Sequence, residues 1–313
     1  MLTFNSKNQR QLYEYNEEFK YFTEMLSKKK LSNKILIKGR KGIGKCTFAY
    51  HLINYILSLN EEHPYDKKNF KINEKNKSFI LINESVHPNT FIVNLEDKKK
   101  TIDIDKAREI IKFNNKSSMI NNSKIILIND AEFLNINSSN ALLKIIEEPN
   151  DDTIIILIQD SSKRMLDTLS SRFVTFNFNL KFNQTLNILN NLLDDDVKKY
   201  FNDEYLNYSL TPGFLINLYN FSITEKIDLK NKNFKDLISY IIEKSLFKKN
   251  DFLIKNFNIL IEIYFNMMIK INDDKEYIYN CYNEVTSKID AANKYNLDKE
   301  NVYNEFKSKF LNA

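Results

Sequence analysis

Glycine and proline are scarce in this sequence: four of each among 313 residues, with no tryptophan. Lys, Asn and Ile are abundant instead, the pattern of a coding bias that replaces residues wherever replacement is tolerated. The glycines and prolines that persist therefore mark places where the backbone needs a left-handed or crowded position, or a fixed turn. They are Gly39, Gly42, Gly44, Gly213, Pro64, Pro88, Pro149 and Pro212. Two cysteines, Cys46 and Cys281, are too few for a disulfide framework or a cysteine-rich zinc site. Three histidines leave little for other metals, so no metal site is expected. Apolar runs such as Ile154 to Ile158 fall far short of the roughly 20 residues that cross a bilayer, and the N-terminus has no signal-peptide pattern. The expectation is a soluble, cytoplasmic protein without membrane contact.

What is present is enough apolar material, 42% of the chain, for a substantial core in two or three domains. The net charge of +5 would suit an acidic partner or nucleic acid, but no block is strongly basic. A helical pattern over Gln11 to Lys30 precedes a short apolar strand, a glycine turn and a helix from about Lys45 to Leu59. Asn60 to Lys77 lacks periodicity and reads as an exposed loop. Strands follow near Thr90, over Lys124 to Asp130, from Thr153 and from Val174, interleaved with a helix capped by Asp103 and another stopped by Pro149. Apolar strands alternating with helices predict an α/β fold with a parallel sheet covered on both faces. Beyond Asn179 the pattern is helical throughout. The expected divisions are 1–178 for the sheet domain, 179–222 for a small helical unit and 223–313 for an all-helical domain.

Three of the four glycines lie in "GRKGIGKC", Gly39 to Cys46, which fits the phosphate-loop pattern GxxxxGK[ST] except at its last position. Gly39, Gly42 and Gly44 let backbone N–H groups close around phosphate oxygens, and Lys45 reaches the terminal phosphates. Cys46 stands where a hydroxyl would hold magnesium; a thiol is a weak donor and a soft ligand. Thr47 comes one residue too late. Asp130 ends a strand, where such proteins place the carboxylate that holds magnesium through water. The next residue is Ala131 instead of the glutamate that orients the attacking water, and Glu132 is expected to point elsewhere. Whether ATP with magnesium is bound therefore stays open.

From Asp130 the sequence reads "DAEFL" and then "NSSNALLKIIEEP". This stretch resembles the ATPase domain of bacterial DNA polymerase III clamp-loader subunits. "SNKILIKGRKGIGK", "HPN" at His87 to Asn89, "TLSSRF" at Thr168 to Phe173 and "LTPGF" at Leu210 to Phe214 agree in order and spacing, so the resemblance spans about residues 9 to 222. It implies an AAA+ P-loop domain, a helical lid and a helical collar. It also implies a component of the DNA polymerase III holoenzyme that works with delta and gamma/tau subunits, a sliding clamp and primed DNA. Ala131, Cys46 and the chain's length resemble the delta-prime type, a stator with little or no ATPase of its own. Arg172 matches the family's arginine finger, which acts in trans on a neighbour's ATP site, with Phe173 replacing the motif's cysteine. Thr211, Pro212 and Gly213 resemble the sensor-2 region but carry no basic residue there. The family's four-cysteine zinc module is missing from Asn60 to Lys77. A gamma/tau-like subunit with its own ATPase and a free-standing nucleic-acid-binding AAA+ relative are the alternatives.

Overall fold

The computed structural model describes residues 4–96, 99–116, 123–148, 150, 152–208 and 210–311; Pro149 lies outside them. The chain forms two compact units, one of Leu2–Asn191 with Thr211–Gly213, the other of Leu192–Leu210 with Phe214–Ala313.

The first unit runs α1 (Asn16–Ser27), β1 (Lys34–Gly39), α2 (Lys45–Ser58), α3 (Lys77–Asn83), β2 (Thr90–Val93) and α4 (Ile104–Asn115). It continues with β3 (Lys124–Ile128), α5 (Ile136–Glu147), β4 (Thr153–Asp160), α6 (Asp167–Ser170) and β5 (Val174–Asn177). Helix α7 (Phe182–Leu193) reaches its end. All five strands are parallel, in the order β2-β3-β4-β1-β5. The central strands β3 and β4 are buried almost throughout because side chains alternate between two covered faces, whereas β5 at the sheet edge is largely exposed. Ile35, Ile37, Ile154, Ile156 and Ile158 pack with Phe19, Phe22, Phe48 and Leu52 of α1 and α2. Leu36, Ile155 and Leu157 pack with Ala107, Ile110, Leu142 and Ile146 of α4 and α5. Full burial of each such aliphatic side chain contributes about 1.5–3 kcal/mol. The parallel sheet and its alternating helices are those read from the sequence; α3 and the short α6 are additions.

The segment 60–77 is not simply an exposed loop. Tyr65, Ile72 and Asn76 are 6%, 1% and 0% exposed. Three polar residues along one side of α2 hold it. Tyr65 Oη lies 2.9 Å from His51 Nδ1, Asn54 Nδ2 donates to Asn76 Oδ1 at 2.8 Å, and the Tyr65 amide donates to Ser58 Oγ at 3.0 Å. The sequence hid this because the anchors are polar and spread over two segments. The hydrogen bonds fasten the place where the resemblance would put zinc.

His51 Nε2 faces the Gln9 carbonyl at 3.0 Å. A carbonyl only accepts, so Nε2 carries the proton and Nδ1 accepts from Tyr65. Burial holds His51 down at about 4, and burial also lowers His87. The unfolded chain therefore binds protons that the fold refuses. The stability from neutral His51 is fully present above pH ~6.5 and drains away as pH falls toward 4, at roughly 1.4 kcal/mol per pH unit. Urea midpoints between pH 7 and 4.5 should show this slope, and His51→Gln should flatten it.

The second unit contains α8 (Asp203–Leu206), most of α9 (Pro212–Glu225), α10 (Phe234–Glu243), α11 (Asp251–Ile271), α12 (Lys275–Lys294) and α13 (Glu300–Phe306). Among the described residues it holds no strand. By length and composition α11 could cross a membrane, with mean hydropathy 1.3. Within the second unit it buries Leu253, Phe257, Leu260, Ile261, Tyr264 and Phe265, while Ile254, Ile259 and Ile271 are exposed. Phe257 and Phe265 meet Tyr303 and Phe306 of α13 edge-on.

Candidate functional site

The site is built at the carboxyl ends of the strands, where open parallel sheets place their ligands. β1 delivers Gly39 to Gly44 and α2 starts at Lys45. Gly42 and Gly44 have φ of 83° and 94°, so the loop turns through conformations closed to most residues. Gly213, the fourth glycine, lies on this loop. Its amide donates to the Gly42 carbonyl at 2.9 Å, and a Cβ on Gly213 would come 2.9 Å from Gly42 Cα. The Thr211–Gly213 segment thus packs against the phosphate loop backbone to backbone. This contact between distant glycines could not be read from either motif alone. Tyr15 closes another side, its hydroxyl donating to the Ile43 carbonyl at 2.9 Å.

Lys45 is only 7% exposed. Its ammonium donates to the carbonyls of Gly39 and Arg40, at 2.8 and 2.7 Å, and so holds the loop's own backbone. Burial lowers its pKa, while Asp160, Glu132 and Asp130 oppose the shift, in that order. Sequence reading missed Asp160. Because β4 lies between β1 and β3, its last residue falls between the loop and Asp130, and strand order is a long-range property. Glu132 also differs from expectation. Asp130 adopts a left-handed conformation, φ 56°, and a short 3-10 turn over Ala131–Phe133 follows. This turn brings Glu132 Oε2 to the Asp160 amide at 3.2 Å, and burial raises the carboxyl's pKa.

Cys46 is half-buried on the first turn of α2, and burial pushes its thiol up to about 11, against a hydrogen bond with Ser6. The sulfur therefore keeps its proton at neutral pH. Thr47, also half-buried, sits one residue further along the helix. The loop, with its positive-φ glycines, fits a phosphate group; Cys46 does not fit magnesium, which wants hard oxygens. Among the described residues no group of three or more His, Cys, Asp or Glu is placed to hold a metal ion.

Arg172 follows α6, away from the loop. Its Nε and Nη2 donate to Glu147 Oε1 at 2.9 and 2.6 Å, and Nη1 donates to the Thr168 carbonyl at 2.5 Å.

Residues 15–181, more than half of the chain, match the family model described as DNA polymerase III, delta subunit. The chain belongs to the delta-prime clamp-loader family. It is 32% identical over 139 residues to the DNA polymerase III subunit delta' of Pseudomonas aeruginosa, covering 44% of this chain and 40% of that protein. To the delta' subunit of Bacillus subtilis it is 30% identical over 156 residues, 49% of this chain and 44% of the relative. These matches span less than half the length of either relative. Among solved structures, a gamma subunit-related protein of Thermotoga maritima is similar at 16% identity and a TM-score of 0.36, over 84% of this chain and 77% of its own. The family match starts at Tyr15 and so includes the loop, Asp130 and Arg172.

Proposed function

We propose that this delta-prime family member is the stator of a DNA polymerase III clamp loader. It assembles with delta and gamma/tau subunits, supports opening of the sliding clamp and its placement on primed DNA, and offers Arg172 to a neighbour's ATP site. The observation that carries the stator reading is the local chemistry of the loop. Cys46 presents a protonated sulfur where magnesium wants a hard oxygen, and Ala131 occupies the place of the catalytic base. Gly39, Gly42, Gly44 and Lys45 would hold nucleotide phosphates if ATP binds, with Asp130 nearby, but Ala131 supplies no carboxylate to orient a water. The cytoplasm is the compartment this role requires.

The test is ATP turnover by the isolated chain, with and without primed DNA and clamp. The expected result is none above background, together with clamp loading by delta and gamma/tau subunits that requires addition of this chain. Turnover by the isolated chain that Lys45→Ala abolishes would overturn the reading in favour of a gamma-like motor.

A further inference from the structure

Arg172 is held by its own chain in a way that leaves part of it free. A guanidinium has five N–H donors in a planar fork. Two go to Glu147 Oε1 and one to the Thr168 carbonyl, which leaves one N–H on each terminal nitrogen. The side chain is 34% exposed, and that of Glu147 51%. An ion pair so open to water adds little stability. What it fixes is direction: contacts to a carboxylate and a carbonyl together hold the plane of the fork. Glu147 is the last residue of α5, whose Leu142, Ile145 and Ile146 are buried, so the anchor stands on a rigid element.

We propose that Glu147 is a positioning residue for Arg172. It holds the guanidinium so that two remaining N–H groups face outward together, ready for anionic oxygens of a phosphate on the neighbouring subunit. This rests on the reading of Arg172 as an arginine acting in trans. Without Glu147 the side chain would sample several rotamers, and misplacement by about 1 Å costs a catalytic group on the order of 10²-fold.

The experiment uses the reconstituted complex with clamp and primed DNA, in which only the ATPase subunit adjoining Arg172 retains its phosphate-loop lysine. Glu147→Ala should lower kcat by about ten- to a hundredfold with KM for ATP unchanged. Glu147→Gln, which keeps an acceptor oxygen, should fall between Ala and wild type. Glu148→Ala, removing the adjacent exposed charge, should match wild type, and mass photometry should show intact complexes throughout. If Arg172→Ala lowers kcat while Glu147→Ala does not, or Glu147→Ala acts only through KM or assembly, the positioning role is wrong and the trans reading stands. An Arg172→Ala complex with full activity would remove the trans reading itself. Faster turnover in Glu147→Ala would also overturn the proposal, since Glu147 would then restrain Arg172.

Discussion

Replacing Arg172 by Ala is expected to reduce ATP hydrolysis at the adjoining subunit's site by about 10³- to 10⁵-fold, or roughly 4 to 7 kcal/mol of barrier. The effect is so large because a guanidinium brought to a transferring phosphoryl group neutralises charge that develops only in the transition state. Inside this chain the same side chain makes one exposed ion pair, whose loss costs at most about 1 kcal/mol of stability. The proposed role in trans and the ion pair are thus separated by the size of their effects. Single-turnover hydrolysis, in a complex whose other ATPase subunits lack their phosphate-loop lysines, measures the chemical step. A rate within threefold of wild type would remove Arg172 from the chemistry. The variant's melting temperature should stay within a few degrees of wild type.

The second large effect concerns Gly39, at the end of β1. Gly39→Ala is expected to destabilise the first unit by about 3 kcal/mol, lowering its melting temperature by roughly 6–12 °C with no nucleotide present. An added Cβ would sit 2.4 Å from the Phe178 carbonyl oxygen and 2.7 Å from Ile43 Cδ1. The Ile43 side chain can rotate away, but the carbonyl cannot, because the Phe178 amide donates to Lys38 O at 2.7 Å. Making room requires β1 and the chain after β5 to part. At Gly44 the neighbourhood is open, the nearest atom being a Tyr15 ring carbon at 3.7 Å, and only the positive φ resists a side chain. Thermal melts of both alanine variants without ATP separate the two causes. A shift below 2 °C for Gly39→Ala would mean that the neighbouring backbone yields and that packing does not account for this glycine.

The strands and the phosphate loop were legible in the sequence because their signals are local. Ile154 to Ile158 is apolar at every position, and three glycines crowd one turn. Asp103, Asn135 and Asn233 cap helices through side-chain hydrogen bonds within three residues. The missed features depend on residues far apart in the chain. Asp160 joins the site through strand order, Gly213 meets Gly42 across some 170 residues, and Glu147 reaches Arg172 from the end of α5. The segment after α2 was misread for another reason. Tyr65 and Asn76 are buried through hydrogen bonds to His51 and Asn54, and a polar anchor has no hydrophobic period to reveal it.

The strand order also sets a schedule for synthesis. β1 pairs with β4 in the register Lys34↔Ile155 and with β5 as Ile35↔Val174, and it does not pair with β2 or β3. Roughly 120 residues must therefore be made before the first partner of Ile35, Leu36 and Ile37 exists. At about 5–20 residues per second that is on the order of 6 to 24 seconds. During that interval an apolar strand with both edges open trails the ribosome while β2 and β3 can already pair with each other, so the nascent chain has a window in which a chaperone, or another copy, can reach β1 first.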